Sequence, residues 1–314
     1  MACHTRHPGY VLVMVLAVLA LAGSVLAAAA CRSSDRVLEA GEAERALQRK
    51  WTFISTQAAV LDRAEEVLAG EKDEADRPSD APPAVLRHFS LDVGGARIEL
   101  ILSDEQAKAS VNMIAKRRGA AEDVEEALRA LQADTRHFLP ILLRPSLPRK
   151  SRATTVPVLY ETLDQCLAFA GPTELVGMES TEGYAMHTIT CWGGGKVNFK
   201  RAPMAVLREV TSGCLDENDL DTLVRAREQD PGISLTKALT FLKIDGTRSD
   251  EAQALQKLTE KKRDEAMTLL TDSSHCHSLW IIVHGKTRNC YRLYVNQFGD
   301  PDCEAGRYTF AWQP

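Results

Sequence analysis

The pattern of apolar and polar positions at the start of the chain predicts one long helix. An uncharged, mostly apolar run extends from Tyr10 to Ala30, and a helix needs about 20 such residues to cross a bilayer. From Cys31 to Gly70 the sequence contains no proline, and apolar residues recur at three- and four-residue intervals. This seam consists of Leu47, Trp51, Ile54, Ala58, Leu61 and Leu68. We therefore expect residues 10–70 to form a transmembrane helix continued by an amphipathic spine, a rod about 90 Å long.

The rest of the chain predicts strands, then helices, then strands again. Strands are expected at His88–Val93, Ala96–Leu102, Leu279–His284, Asn289–Phe298 and Arg307–Trp312. Helical patterns lie between the first two and the last three, at Ala120–Leu131, Leu159–Ala170, Pro203–Val210, Glu217–Glu228, Ile233–Leu242 and Ser249–Leu270. This order predicts an α+β fold in which an all-helical domain, residues 113–271, is inserted into a small β domain. The β domain would comprise residues 84–112 and 272–314.

Composition and charge narrow the classes of function. The 314 residues are 45% hydrophobic, enough to build a core, and carry a net charge of −5. Neither nucleic acid nor an anionic membrane surface is favoured by that charge. The 8 cysteines are too scattered for a small disulfide scaffold, and pairing among Cys166, Cys191 and Cys214 stays open.

The N-terminus has three interpretations. A secretory signal peptide would be cut in the stretch Ala27–Ala30, and a lipoprotein signal would use Cys31. In the third interpretation the apolar helix is permanent, and a leader of residues 1–9 is removed between Gly9 and Tyr10. The helical pattern continues beyond Ala30, which favours the third interpretation because a cut there would make that continuity accidental. The weakly cationic leader would then remain cytoplasmic, and the body would cross the membrane.

Two phrases, in order, carry a resemblance to a known family. The first contains Asp104, Glu105, Lys108 and Asn112, and the second contains Val197, Asn198, Ala202 and Pro203. With these phrases the chain resembles the K-type minor pseudopilins of the bacterial type II (general) secretion pathway, over most of its length. That family has an Asp-Glu-x-x-Lys-x-x-x-Asn phrase after a strand and a Val-Asn-x-x-x-Ala-Pro phrase at a helix start. The chain departs from it at Lys200 and Arg201, where Asn-Thr is common, and lacks an acidic Asp-Trp-type loop after Asn112.

The resemblance implies a non-enzymatic subunit of a periplasmic fibre, the pseudopilus. Prepilin peptidase would cut between Gly9 and Tyr10, leaving an N-methylated terminus and a single helix in the inner membrane. Most pseudopilins have glutamate at the fifth mature position, a residue that K-type proteins characteristically lack, and this chain has Met14 there. In the family the missing glutamate goes with a position at the fibre tip. A buried glutamate needs a partner from the neighbouring subunit, and a subunit at the tip has none above it. The implied partners are the I- and J-type minor pseudopilins, contacted through the seam.

Other chemical signals are weak. Asp104, Glu105, Lys108 and Asn112 would suit an acid/base cluster, but capping of the following helix explains them more simply. The Gly193-Gly194-Gly195-Lys196 run lacks the spacing and hydroxyl of a phosphate-binding loop.

Candidate metal ligands occur near the C-terminus. The spacing of His275, Cys276 and His277 matches no known set of zinc ligands. In addition, Cys276 and His277 are adjacent and would point to opposite faces of a strand. Asp300, Asp302 and Glu304 alternate in a turn and supply the oxygens that calcium prefers. Calcium-binding pseudopilins of several types place the ion near their C-terminal strands, so the resemblance makes calcium a candidate cofactor.

Two further functions stay open. One is a secreted or surface hydrolase with a cleavable signal peptide, which would lose the apolar helix. The other is a pilin-like protein for DNA uptake or adhesion. Balanced charge in the helical segment argues against DNA binding.

Overall fold

The computed structural model describes residues 8–69, 85–93, 96–133, 135, 137–146, 159–169, 171–176, 184–242, 260–284, 289–297 and 306–312. The chain divides into two compact units, Met1–Thr56 and Gln57–Pro314. The helices are α1 (Pro8–Leu61), α2 (Ala64–Ala69), α3 (Val111–Arg118), α4 (Ala121–Leu131), α5 (Pro172–Val176), α6 (Met204–Val210), α7 (Glu217–Gln229) and α8 (Leu235–Leu239), and residues 260–269 are also helical. The strands are β1 (Leu86–Val93), β2 (Ala96–Asp104), β3 (Ala109–Ser110), β4 (Ile189–Thr190), β5 (Val197–Asn198), β6 (Leu270–Thr271), β7 (Cys276–Val283), β8 (Cys290–Gln297) and β9 (Gly306–Trp312).

The apolar run and most of the predicted spine form one uninterrupted helix. Helix α1 is 54 residues long and contains the whole segment from Tyr10 to Ala30. Among the described residues, it is the one helix with a stretch long and apolar enough to cross a membrane. Its large apolar side chains from Tyr10 to Leu26 are exposed, as expected for a surface that has no protein to cover it.

The prediction of a single helix up to Gly70 is wrong at one point. Helix α1 ends at Leu61, a turn follows at Asp62 and Arg63, and α2 begins at Ala64. At the turn the Arg63 amide donates to the carbonyl of Val60. This is an i to i−3 bond, which closes a smaller ring than the i to i−4 bond of an α-helix. Beyond the turn, Ala64 and Leu68 are buried and α2 contacts β1 and β2. Burial of this apolar face outweighs the continuous helical pattern of the sequence.

A five-stranded antiparallel sheet forms the base of the second unit. The strand order is β1-β2-β7-β8-β9, so both ends of the unit contribute to one sheet. The five predicted strands are confirmed, and β7 begins at Cys276, earlier than the predicted Leu279. Strand β7 is buried along nearly its whole length because it lies in the centre of the sheet. The predicted α+β fold with a long N-terminal helix is confirmed.

Where the structure describes it, the segment between β2 and β7 consists of short helices and irregular stretches. Helices were predicted at the positions of α4, α6, α7 and α8, and these are confirmed. The segment also contains two parallel pairs of very short strands, β3 with β4 and β5 with β6. Both pairs connect stretches that are distant in sequence. The pair of β5 with β6 contains Val197 and Asn198, which begin the second sequence phrase.

The helix predicted at Leu159–Ala170 is wrong. Those of its residues that the structure describes form a short 3-10 turn, Leu163–Gln165, followed by an isolated β-bridge between Leu167 and Ile141. The backbone amides of Leu159 and Tyr160 both donate to the side-chain oxygen of Asn112. The carbonyls of Leu159, Gln165 and Cys166 accept from amides within residues 142–146, and these tertiary bonds take the place of the helical bonds that the pattern predicts.

One cluster of buried apolar side chains joins the sheet to the helical segment. On the sheet side it includes Ile101, Trp280 and Leu293, and on the helical side Leu128 and Leu207. The sheet and the helical segment thus share a continuous core, and the polar groups between them are removed from water. The predicted boundaries of an inserted domain, residues 113–271, stay a prediction.

Candidate functional site

The two sequence phrases meet at the end of β2, where a buried carboxylate collects five hydrogen bonds. Asp104 is fully buried, and its Oδ1 accepts from the backbone amides of Gln106 (2.9 Å) and Ala107 (3.1 Å), capping the turn that follows β2. The hydroxyl of Ser274 also donates to Oδ1, at 2.5 Å. Oδ2 accepts from the Asn198 amide at 3.0 Å and from Arg201 Nη1 at 3.1 Å. These bonds replace the water that a buried carboxylate loses.

Arg201 connects Asp104 to helix α2. Its Nη1 and Nη2 donate to Oε1 and Oε2 of Glu65, at 3.1 and 2.9 Å, in the paired geometry that guanidinium and carboxylate groups favour. The Nε2 atom of His277, on β7, lies 2.9 Å from Glu65 Oε1. We call Glu65, Asp104, Asn198, Arg201 and His277 the junction network. It links α2, β2, β5 and β7, together with the loop that carries Arg201.

The contacts with His277 and Arg201 lower the pKa of Glu65. Burial by itself raises the pKa, but the hydrogen bonds from His277 and Arg201 and the charges of both groups outweigh it. The net result lowers the pKa from 4.5 to about 2. The carboxylate is therefore ionised across the neutral and mildly acidic range, and its attraction to Arg201 is maintained there.

A second buried ion pair lies next to Asp104. Glu105 Oε1 accepts from Lys108 Nζ at 2.6 Å, and both side chains are almost completely buried. The hydroxyl of Thr190 donates to Oε2 at 2.5 Å, and that of Ser278 donates to Oε1. Removing both charges from water is costly, and the added hydroxyl bonds offset part of that cost.

Asn112 uses the full hydrogen-bonding capacity of its side chain. Its Nδ2 donates to the carbonyls of Tyr160 and Cys191, both at 2.9 Å. Its Oδ1 accepts from the amides of Leu159 and Tyr160, both at 2.8 Å. An amide side chain alone among uncharged groups offers two donors and two acceptor sites in this way. Asn112 therefore fastens two distant chain segments to the start of α3.

The second phrase forms a tight turn that leads into α6. Val197 lies in β5 opposite Leu270, and the carbonyl of Asn198 accepts from the amide of Ala202 at 2.9 Å. Pro203 is the residue before the first turn of α6. Arg227 Nη1 donates to the carbonyl of Ala202 at 2.7 Å and to that of Phe199 at 2.6 Å. The phrase is thus fixed from both sides, by Asp104 and by Arg227.

The predicted seam divides into two groups. Leu47, Trp51 and Ile54 are 55%, 60% and 42% exposed, and Ala58 is also exposed. Leu61 and Leu68 are instead buried, at 5% and 0% exposure. These two residues pack within their own chain and are not available to a partner helix.

Several predicted positions lie outside the described residues. These are most of the leader, residues 1–7, and the candidate calcium ligands Asp300, Asp302 and Glu304. Gly9 and Tyr10, at the expected cleavage point, are in α1. Within the parts of the chain that the structure describes, no group of three or more His, Cys, Asp or Glu side chains could hold a metal ion.

Sequence reasoning missed the cationic half of the junction network. Arg201 stood out as a departure from the family phrase, but its two acidic partners lie 97 and 136 positions away. Glu65 appeared as one charge among many on an amphipathic helix. The available signal was an arginine in place of a small polar residue, inside a phrase already singled out.

The fold and the network define an α+β protein with a long, partly apolar N-terminal helix and a buried polar junction between sheet and helices. No family model and no curated protein sequence matches the chain. Three chains of solved structures match it. One belongs to the GspK-GspI-GspJ complex from the type 2 secretion system of enterotoxigenic Escherichia coli, with 16% sequence identity and a TM-score of 0.41. The match covers 86% of this chain and 98% of that chain, and it is too distant to assign a family.

Proposed function

We propose that this protein is a non-enzymatic minor pseudopilin of the K type, anchored in the inner membrane and acting at the tip of a short periplasmic fibre. The observation that carries the proposal is the continuity of α1 from the apolar run into the charged segment. A cleavable signal peptide needs no helix beyond its cut, whereas a fibre subunit uses one continuous helix as both anchor and packing element. Helix α1 passes the alternative cleavage region, Ala27–Cys31, without a break.

The exposed part of the seam supports assembly through α1. At about 100° per residue, Leu47, Trp51, Ile54 and Ala58 fall within about 60° of one another around the helix. An exposed tryptophan with aliphatic neighbours along one stripe is the surface that a second helix would cover. The partners implied by the sequence phrases are the I- and J-type minor pseudopilins, each with its own N-terminal helix.

The body suits a terminal position in a fibre. The residues that the structure describes between β2 and β7 form a largely helical segment, and a subunit stacked above would have to avoid this bulk. Met14 at the fifth mature position needs no charged partner from such a subunit. The buried carboxylates of Asp104 and Glu105 are each engaged by a cation, a scaffold role consistent with a mechanical rather than a catalytic protein. The fibre would push substrates through an outer-membrane channel.

The first experiment determines the mature N-terminus of the membrane-extracted protein by mass spectrometry. The proposal expects a terminus at Tyr10 carrying one methyl group. A terminus within Ala28–Cys31 would remove the helix, overturn the proposal and favour a secreted hydrolase or a lipoprotein. A terminus at Tyr10 together with tight duplex DNA binding at moderate salt would favour the DNA-uptake protein.

A second experiment tests the seam directly. The variants Leu47→Asp and Trp51→Asp place a charge in the proposed helix contact, and both are expected to abolish co-purification with the I- and J-type pseudopilins. The matched control is Arg45→Asp, which puts the same charge about 160° away from Leu47 on the same helix. Retention of the partners by both seam variants would exclude this surface as the contact.

A further inference from the structure

Two buried cysteines of the helical segment lie in contact. The Sγ atoms of Cys166 and Cys191 are 3.6 Å apart, and the residues are 0% and 5% exposed. Sulfur atoms in a disulfide are about 2.05 Å apart, so a shift of about 1.6 Å would bring these two within bonding distance. A side-chain rotation at either cysteine can supply a shift of that size.

The backbones at both cysteines are already fixed in place. The carbonyl of Cys166 accepts from the amide of Leu142 at 2.8 Å, and its own amide donates to Leu163. The carbonyl of Cys191 accepts from Asn112 Nδ2 at 2.9 Å. Asn112 therefore holds the chain segment that carries Cys191 beside Tyr160, six positions before Cys166.

We propose that Cys166 and Cys191 form an intramolecular disulfide when the protein folds in an oxidising compartment. The electron acceptor is a disulfide-bearing oxidant, either a thiol oxidase or oxidised glutathione. One cysteine thiolate attacks the oxidant's disulfide and forms a mixed disulfide. The second thiolate then displaces the remaining thiol of the oxidant. In total the two cysteine thiols give up two protons and two electrons, one S–S bond forms between them, and the oxidant's S–S bond breaks to give two thiols that take up those protons and electrons.

The bond forms during folding rather than in the finished body. Burial and contact with Cys166 raise the pKa of the Cys191 thiol well above its usual range. A neutral, buried thiol is a poor nucleophile, because the thiolate is the reactive form. The compartment in which the bond forms rests on the proposed function, whereas the contact between the sulfurs does not.

The closed bond would stabilise the helical segment. The cysteines are 25 positions apart, a loop length at which a disulfide removes a substantial part of the entropy of the unfolded chain. For a unit of this size the expected gain in melting temperature is about 5–15 °C. The bond would reinforce the connection that Asn112 already makes between residues 159–166 and Cys191.

The test uses the full-length protein in detergent, refolded from urea in mixtures of reduced and oxidised glutathione. Samples are quenched in acid, alkylated under denaturing conditions and cleaved after glutamate, which separates the cysteines because Glu174, Glu179 and Glu182 lie between them. The proposal expects the Cys166 and Cys191 peptides to remain linked, with the linked form exceeding the dithiol at least about tenfold in the most oxidising mixture. Alkylation of both cysteines there, or a link to Cys214 or Cys276 instead, would overturn it.

Variants separate this pair from other thiol effects. The oxidised protein should lose its gain in melting temperature in Cys166→Ala and Cys191→Ala, and keep it in Cys214→Ala, which removes another buried cysteine. If either pair variant fails to fold, the wild-type peptide map alone decides. Trapping thiols in intact cells then shows whether the pair is oxidised in the compartment that the protein occupies. A linked pair after refolding but free thiols in cells would retain the contact and contradict the periplasmic location.

Discussion

Arg201 and Glu65 form a two-point ion pair between residues that are 136 positions apart. Through Nη1 the same arginine reaches Asp104, which is fully buried at the end of β2. One side chain thus connects helix α2, the sheet and the start of α6. Its loss would leave Asp104 without a cation.

Replacing Arg201 should destabilise the body strongly. Arg201→Met keeps the aliphatic stem but leaves a buried carboxylate uncompensated, and we expect the free energy of unfolding to fall by about 3 kcal/mol. Urea unfolding followed by circular dichroism measures the change. The control is Arg208→Met, since Arg208 pairs with Glu217 on the surface and such pairs contribute little. Equal effects of the two substitutions would contradict a special role for Arg201.

Glu65 should make stability depend on acid pH. Because its folded pKa is about 2, below its ordinary value of 4.5, its contribution is complete above pH 4.5 and is lost as the pH falls towards 2. After allowance for its half-exposed side chain, we expect a loss of about 1–2 kcal/mol across that window. The variant Glu65→Gln should lack this part of the acid sensitivity. Urea midpoints at pH 5, 4 and 3 compare the two proteins, and parallel curves would contradict the prediction.

His187 should act in a separate, higher pH window. Burial, assisted by the charge of Lys108, lowers its pKa from 6.5 to about 4, and its Nε2 has no hydrogen-bond partner among the described residues. The unfolded chain therefore binds a proton that the folded protein refuses, so stability declines as the pH falls from 6.5 to 4. We expect a loss of about 1–3 kcal/mol, removed by His187→Gln. Melting temperatures at pH 7.5, 6 and 5 test this, and an unchanged slope in the variant would exclude His187 as the cause.

Asn112 should tolerate no substitution. Asn112→Ala removes four hydrogen bonds and leaves backbone groups of Leu159, Tyr160 and Cys191 unsatisfied, at an expected cost of about 3 kcal/mol or more. Asn112→Asp should be equally damaging, since a carboxylate would face two carbonyls. The control is Asn218→Ala on the exposed surface of α7. Limited proteolysis should cut Asn112→Ala before the wild type, and equal resistance would contradict the proposed connection.

Elements with a clear periodicity could be predicted from the sequence. Strands β7, β8 and β9 follow from runs rich in β-branched and aromatic residues, separated by turn residues. Helix α4 follows from Val124, Ala127, Leu128 and Leu131, which are all buried on one face. In these cases local spacing and tertiary burial agree, so the pattern suffices.

The errors occurred where distant contacts override a local pattern. The helix predicted at Leu159–Ala170 does not form because residues 142–146 bond to its carbonyls, and the spine turns at Asp62 because α2 packs on β1 and β2. The first sequence phrase singled out Asp104 and Asn112, and both are buried and hydrogen-bonded to distant residues. Their partners could not be predicted, because an ion pair between residues 136 positions apart leaves no periodic trace.

The pairing of β2 with β7 has a consequence for biogenesis. Glu105 and Ser278 are hydrogen-bonded although 173 positions separate them, so the sheet closes only after nearly the whole chain has been delivered. Contacts this distant in sequence slow folding, and until β7 arrives β2 presents an open edge to other unfolded chains. In a chain that emerges N-terminus first, the sheet therefore stays incomplete until the C-terminal strands are available. A chaperone or an early partner that covered this edge would prevent its pairing with other chains.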